Sequence, residues 1–195
     1  MVDLSKVIKQ ASELNEKSID GYPPVEKWNP EHCGDIGLEV KSDGTWFYMG
    51  TPIWRKRIVK LFSRILRKEE DGSYVLVTPV EKISIEVEDA PFIANSLEIS
   101  GKNKECNLKF FTNVDDSIIA SKSFPIRVEI NPENLEPAPY VLIRRNLEAK
   151  ISRSVFYELV DIAEHKDEKF GVWSGGEFFP FANSKDLNIW VNLIG

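Results

Sequence analysis

The amino-acid sequence predicts an α+β protein built from two similar domains. Apolar residues recur at helical spacing in separate segments, and short apolar or alternating runs between polar turns indicate strands. A weak internal repeat adds the third observation. A shift of 102 positions places Ile53 and Leu61 of one predicted helix on Val155 and Ala163 of another. This repeat favours duplication of a unit that contains a hairpin, a helix and a following strand.

Composition limits the classes of protein to which the chain can belong. Hydrophobic residues make up 42% of the 195 residues and aromatic residues 11%, which excludes intrinsic disorder. The net charge of −6 argues against a protein that coats nucleic acid or an anionic membrane. The longest apolar runs are too short to span a bilayer, and no signal peptide begins the chain. We therefore expect a cytoplasmic protein that binds neither nucleic acid nor membrane.

The first half of the chain predicts two helices and a hairpin. Helical spacing indicates an N-terminal amphipathic helix from Leu4 to Leu14. Strand-like runs at 36–41 and 45–49 flank Asp43-Gly44, a good hairpin signal. The clearest helix is predicted from Ile53 to Lys68, with Thr51 as its N-cap, Pro52 at its first position and Phe62 at the centre of its apolar face. A strand is predicted at 74–77.

The second half is predicted to be rich in strands. They are expected at 83–87, 92–99, 108–112, 126–130 and 140–144, followed by a helix from Ser154 to His165, a strand at 170–173 and a turn at 174–176. The predicted organisation is an N-terminal helix in residues 1–21, a first domain in residues 22–85 and a second domain in residues 86–195.

Motifs for catalysis and metal binding are missing from the sequence. Nucleotide-binding glycine loops, zinc-protease motifs and nucleophile elbows are all absent. Cys33 and Cys106 are too few for a disulfide framework, so we expect two reduced thiols. The run His32-Cys33-Gly34-Asp35 carries metal-ligating side chains, but the only other histidine, His165, is far along the chain. We expect no catalytic residue, no metal and no cofactor.

One segment departs from the acidic character of the chain. Residues 55–68 contain seven basic residues and no acidic one, so the remainder has a net charge of −13. Cations near the end of a helix complement its dipole, but Arg55, Lys56 and Arg57 crowd the positive end. Two interpretations stay open. The acidic segment 86–89 balances the cations, or a phosphate or carboxylate ligand binds near Thr51, Arg55 and Lys56.

Ordered blocks along the chain resemble a known bacterial family. The blocks include Cys33-Gly34-Asp35-Ile36, Asp43-Gly44-Thr45-Trp46-Phe47-Tyr48, Val77-Thr78-Pro79-Val80-Glu81-Lys82, Ala90-Pro91-Phe92 and Gly171-Val172-Trp173-Ser174-Gly175-Gly176. They resemble the family catalogued as domain of unknown function 1285, over about residues 22–181. The resemblance implies two similar domains, the second loosely like a pleckstrin-homology barrel capped by a helix. It also implies a nucleotide-like ligand at the domain interface and a role in signalling, without any established catalytic residue.

Together these observations predict a non-catalytic ligand-binding or regulatory module. An anionic small molecule, nucleotide-like if the resemblance holds, would contact Thr51, Arg55 and Lys56. Near the domain boundary, Thr78 would donate a hydroxyl hydrogen bond, Lys82 would supply a charge and Phe92 a stacking face. The alternative is a protein-interaction module in which the basic helix 55–68 and exposed aromatics such as Trp54 dock an acidic partner. An enzyme that uses His32 and Asp35 is the third hypothesis.

Overall fold

A computed structural model describes residues 4–16, 22–131 and 136–186 of the chain. The chain divides into two compact units, Met1–Pro91 and Phe92–Gly195. Within the described residues the structure is mostly β, with three α-helices. None of these helices is long and apolar enough to cross a membrane. The two-domain organisation with a majority of strands agrees with the coarse prediction from the sequence.

Unit 1 consists of one sheet and two helices. Its elements are α1 (Leu4–Glu16), a 3₁₀ turn (Val25–Lys27), β1 (His32–Val40), β2 (Trp46–Tyr48), β3 (Thr51–Pro52), α2 (Lys56–Arg64), β4 (Leu66–Lys68), β5 (Tyr74–Val77) and β6 (Lys82–Val87). The sheet order is β3-β2-β1-β6-β5-β4. Neighbouring strands are antiparallel except for the central pair β1 and β6, which is parallel. The sheet is therefore two three-stranded meanders joined by one parallel pair.

The core of unit 1 lies under α2. Phe62 is fully buried, and its ring centroid lies 6.2 Å from that of Trp46 in β2. Helix α1 packs on α2 and buries Val7 and Ala11. The two apolar helix faces that the sequence predicted are thus both used for packing.

Both ends of α2 differ from the prediction. Thr51 and Pro52 do not cap the helix, because they pair with Tyr48 and Phe47 as strand β3, and the helix begins at Lys56. The helix ends at Arg64 instead of Lys68, because Leu66 pairs with Leu76 and starts β4. The helical spacing of apolar residues continues past both ends of α2. The residues beyond each end pair with neighbouring strands, and this pairing determines where the helix begins and ends.

Unit 2 contains two sheets and one helix. Its elements are β7 (Phe92–Ser100), β8 (Asn107–Thr112), β9 (Ser117–Ile119), β10 (Ile126–Ile130), β11 (Pro137–Arg144), β12 (Leu147–Ile151), α3 (Arg153–Asp161), β13 (Glu164–Lys166), β14 (Lys169–Ser174) and β15 (Glu177–Asn183). The larger sheet has the order β10-β11-β12-β7-β8-β9, with β12 and β7 parallel. The smaller sheet is the meander β13-β14-β15. The six-stranded sheets of the two units therefore share one strand plan.

Helix α3 is shorter than predicted. Its N-cap is Ser152, whose Oγ accepts a hydrogen bond from the backbone N–H of Val155. The predicted end at His165 is wrong, because Glu164–Lys166 form strand β13 and pair with β14. Each of α2 and α3 is thus followed by a short strand, β4 or β13, that the helical spacing of the apolar residues did not predict.

The boundary between the units also lies later than the predicted 85/86. Strand β6 continues to Val87, which pairs with Val40 of β1, so this part of the chain belongs to the sheet of unit 1. Within residues 1–21, the described helix α1 packs on α2 and is counted in unit 1.

Candidate functional site

The predicted ligand residues Thr51, Arg55 and Lys56 are all exposed on unit 1. Thr51 lies in β3, where pairing with Tyr48 fixes its backbone. Arg55 precedes α2 as its N-cap residue, and its side chain makes no capping hydrogen bond. Lys56 is the first residue of the helix. The structure therefore brings the three residues onto one surface stretch.

Four consecutive exposed residues dominate this stretch. We call Trp54, Arg55, Lys56 and Arg57 the Trp54 segment; the side chain of Trp54 is 80% exposed. Met49, in the turn between β2 and β3, is also exposed. Across the described ranges 4–16, 22–131 and 136–186, the three cations of the segment form no ion pair. An exposed indole beside unbalanced positive charge is the result.

The acidic segment 86–89 does not balance these cations. Glu88 instead accepts hydrogen bonds from Lys41 Nζ at 2.8 Å and from the backbone N–H of Ser42 at 2.9 Å. The hydrogen bond from Lys41, and then that from Ser42, lowers the pKa of Glu88. Hydrogen bonds to Glu39 and then to Glu88 raise the pKa of Lys41. No ion pair therefore supports the interpretation that Glu86–Asp89 docks against Arg55, Lys56 and Arg57.

Other basic residues of 55–68 have structural roles. The Nη1 group of Arg67 donates to the carbonyl oxygens of Val25 and Trp28, at 2.7 Å each. The guanidinium of Arg64 lies over the ring of Tyr22, 5.8 Å from its centroid, and the ammonium of Lys68 lies over Tyr74. Among the described residues of the basic run, Arg55, Lys56 and Arg57 are the exposed cations that form no ion pair.

Thr78 is buried in a turn of unit 1. Its Oγ1 accepts a hydrogen bond from the backbone N–H of Glu81 at 3.1 Å and contacts the carbonyl oxygen of the same residue at 3.3 Å. The hydroxyl is thus used within the turn, and the predicted donation to a ligand has no support in this geometry. Lys82 is half-buried and begins β6.

Phe92 belongs to unit 2 and is fully buried in β7. The guanidinium of Arg144 lies over its ring, 4.7 Å from the centroid. Arg144 also forms a buried ion pair with Asp116. Phe92 stacks on a cation of its own unit, so it offers no open face to a planar base, and this part of the predicted site is wrong.

The two side chains that the enzyme hypothesis would use, His32 and Asp35, contact different partners. His32 Nε2 lies 2.9 Å from Ser84 Oγ, and Asp35 accepts from the backbone N–H of Gly37 at 2.7 Å. Cys33 is an exposed thiol and Cys106 a buried one, and burial raises the pKa of Cys106. In the part of the chain that the structure describes, no three His, Cys, Asp or Glu side chains group as a metal site.

Family models match both halves of the chain. The model described as "Domain of unknown function (DUF1285), N-terminal domain" matches residues 23–90, and "Protein of unknown function (DUF1285), C-terminal domain" matches residues 91–181. The chain belongs to the DUF1285 family. The boundary between the two models agrees with the boundary between the two structural units.

Solved structures of this family resemble the chain. A DUF1285 family protein from Silicibacter pomeroyi DSS-3 is 46% identical, with a TM-score of 0.85, over 93% of this chain and 97% of that chain. A second, from Shewanella baltica OS155, is 26% identical with a TM-score of 0.49, over 63% of this chain and 89% of that chain. No curated protein matches the chain.

Proposed function

We propose that this DUF1285 protein is a non-catalytic interaction module that docks an acidic segment of a partner protein on the Trp54 segment. The observation that carries the proposal is the run of four exposed residues, Trp54 to Arg57, whose cations form no ion pair within the described residues. In a chain with a net charge of −6, this run stands apart from the rest. A partner with carboxylates beside an apolar side chain would complement it.

Residue chemistry supports a protein partner. Trp and Arg are the residues most enriched among those that dominate binding energy at protein interfaces. An exposed indole is costly in water, and burying it against a partner recovers that cost. The adjacent cations speed association with an acidic surface and make affinity fall as salt rises.

Exposure favours a protein over a small molecule at this surface. Small-molecule sites are concave and enclose most of the ligand. Thr51, Arg55 and Lys56 are exposed, and Trp54 extends into solvent beside them. An extended acidic chain can cover such a stretch, whereas a small anion would stay largely hydrated there.

Site-specific photo-crosslinking in cells tests the proposal. A benzophenone amino acid in place of Trp54 should crosslink to a discrete partner, and mass spectrometry should place the crosslink in a segment rich in Asp and Glu. The matched control is the same amino acid in place of Val80, an exposed apolar residue of the same unit. The Arg55→Glu/Lys56→Glu background should abolish the crosslink. Equal yields at both positions, or a crosslinked segment without excess acid, would reject the proposal.

The second candidate is an anionic, nucleotide-like small molecule held near Thr51, Arg55 and Lys56. It is supported by Arg55 and Lys56 at the start of α2, which form no ion pair with any described residue and lie where backbone N–H groups favour an anion. A thermal-shift screen of nucleotides and phosphorylated metabolites tests it, because a ligand at about 100 times its dissociation constant adds about 2.7 kcal/mol of stability. Stabilisation by a nucleotide that Arg55→Gln removes would replace the interaction proposal.

Duplication, with a second domain like a pleckstrin-homology barrel, is a further part of the proposal. It is supported by the strand plan that the two six-stranded sheets share, in which β1–β3 correspond to β7–β9 and β4–β6 to β10–β12. Helices α2 and α3 lie at different places in this plan, between β3 and β4 and after β12, so the support comes from the sheets. A crystal structure of the chain tests it: the two sheets should superpose strand for strand, and sheets of different strand order would rule duplication out.

A regulatory role in signalling is also proposed, because the family resemblance implies it, and a cytoplasmic location is proposed with it. Cell fractionation and the identity of the crosslinked partner test it. Recovery in the periplasm, or a partner unconnected with any regulatory process, would contradict it.

A further inference from the structure

Two adjoining hollows in unit 2 share Trp173 of β14. One, with a volume of about 170 Å³, is lined by Trp173 together with the exposed residues Ile99 and Ile162. The other is wider and is lined by Trp173 together with Lys102, Lys104 and Lys166. We call the two hollows together the Trp173 groove. It combines an apolar part with a cationic part around one half-buried indole.

The ammonium groups in this groove rest on aromatic rings. Lys166 Nζ lies 4.5 Å from the centroid of the Trp173 ring, and Lys104 Nζ lies 5.4 Å from it. Phe178 contacts Trp173 edge-on, with 5.3 Å between ring centroids, which holds the indole in place. Cation–π contacts near a protein surface are weak, so these ammonium groups can turn to a better partner and uncover the half-buried ring of Trp173.

The positive charge of the groove is not balanced by ion pairs. Lys102, Lys104 and Lys166 form none with any residue that the structure describes, although Glu105 and Glu164 line the same groove. Elsewhere in unit 2, Arg127 pairs with Glu129 and Glu148. Among the residues that the structure describes, the unit therefore places three cations without an ion pair around one aromatic side chain.

We propose that the Trp173 groove binds a small aromatic anion. The ring of the ligand stacks on Trp173 beside Ile99 and Ile162, and its carboxylate or phosphate group takes charge-assisted hydrogen bonds from Lys104 and Lys166. The apolar hollow, with a volume of about 170 Å³, has room for one ring system, and the acidic group of the ligand would lie in the wider cationic hollow beside it. This site is independent of the Trp54 segment, because the two share no residue.

Isothermal titration calorimetry on the full chain tests the proposal. Indole-3-acetate should bind, whereas its uncharged analogue indole-3-acetamide and the ringless anion acetate should bind at least about tenfold more weakly. Phenyl phosphate against inorganic phosphate makes the same comparison for the second acidic group and shows which group the site prefers. No heat from either aromatic anion at millimolar concentration, or equal affinity for the amide, would overturn the proposal.

Variants connect any binding to the groove. Lys104→Gln/Lys166→Gln should weaken binding of the preferred probe by about tenfold or more, because both charge partners are lost. The matched control is Lys109→Gln, whose ammonium lies over Phe111, 5.0 Å from its centroid, and outside the groove. It should leave the affinity unchanged. Unchanged affinity in the double variant, with the fold verified by circular dichroism, would overturn the proposal.

Discussion

Phe62 carries a large part of the stability of unit 1, because its side chain is fully buried against Trp46. Phe62→Ala should lower the free energy of unfolding by about 3 to 5 kcal/mol through lost transfer energy and a residual cavity. Chemical denaturation measures it. Met49→Ala, at a residue that is 71% exposed, is the control and should change stability by less than about 0.5 kcal/mol. A loss below about 1 kcal/mol for Phe62→Ala would contradict the packing of α2.

The buried pair of Arg144 and Asp116 is the corresponding feature of unit 2. Their side chains are 10% and 8% exposed, and the guanidinium also covers Phe92. Asp116→Asn removes the negative partner of a buried cation and should cost about 3 to 5 kcal/mol in denaturation experiments. Arg144→Met/Asp116→Asn should cost less than the sum of the two single variants, since neither charge is then left alone. Strict additivity would show that the two groups are not coupled.

For helices and strands, the sequence predicted those elements that the spacing of apolar residues marks. Strand β5 was predicted with its observed bounds, and so was β10, because their apolar runs end at polar turns. Short strands such as β3, β4 and β13 gave no periodic signal. Their existence depends on hydrogen bonds to residues several positions away, which periodicity cannot report.

The same limit applies to the candidate site. The charge of Arg55, Lys56 and Arg57 is readable from the sequence, and so is the position of Trp54 beside them. Burial is not readable from the sequence: the sequence predicts Phe92 as a stacking face, but its side chain lies in the core. The Trp173 groove was missed because its lysines come from two segments that only the fold brings together.

Arg67 shows how an element boundary changes the role of a side chain. Helical spacing placed it at the end of α2, but in β4 it donates two hydrogen bonds to carbonyl oxygens of residues 25 and 28. Arg67→Met should lower the free energy of unfolding by about 1 to 3 kcal/mol, because those acceptors lose their donor. Denaturation of Arg64→Met, whose guanidinium only covers a ring, provides the control. Equal effects of the two variants would argue against this role.

The turn of the β1–β2 hairpin depends on the ionised form of Glu88. Its pKa is lowered from 4.5 in the folded state, so its contribution to stability is present above that value and is lost as the pH falls through the folded pKa. Lys41→Met should raise the pKa of Glu88 toward 4.5, since it removes the largest cause of the shift. Carboxyl NMR titration measures this. Asp71, whose pKa is lowered by Ser73, should not respond; an unmoved Glu88 would contradict the assignment.

At the scale of the whole molecule, charge is distributed unevenly. The run 55–68 holds seven basic residues in a chain whose net charge is −6. Arg64, Arg67 and Lys68 serve the fold, and Arg55, Lys56 and Arg57 directly follow the exposed indole of Trp54. Folding alone does not explain that arrangement, because cations at the start of a helix oppose its dipole. The proposed binding of an acidic partner would account for it.

The most direct test measures stability and binding on one variant, Arg55→Gln/Lys56→Gln. We expect this variant to have a free energy of unfolding equal to that of the wild type or slightly higher, since each cation at the start of α2 costs about 0.3 to 1 kcal/mol. We also expect that the crosslink from position 54 to its acidic partner is lost, and that the wild-type crosslink weakens as salt rises. Clear destabilisation of the variant with an undiminished crosslink would contradict the proposed docking of an acidic partner on the Trp54 segment.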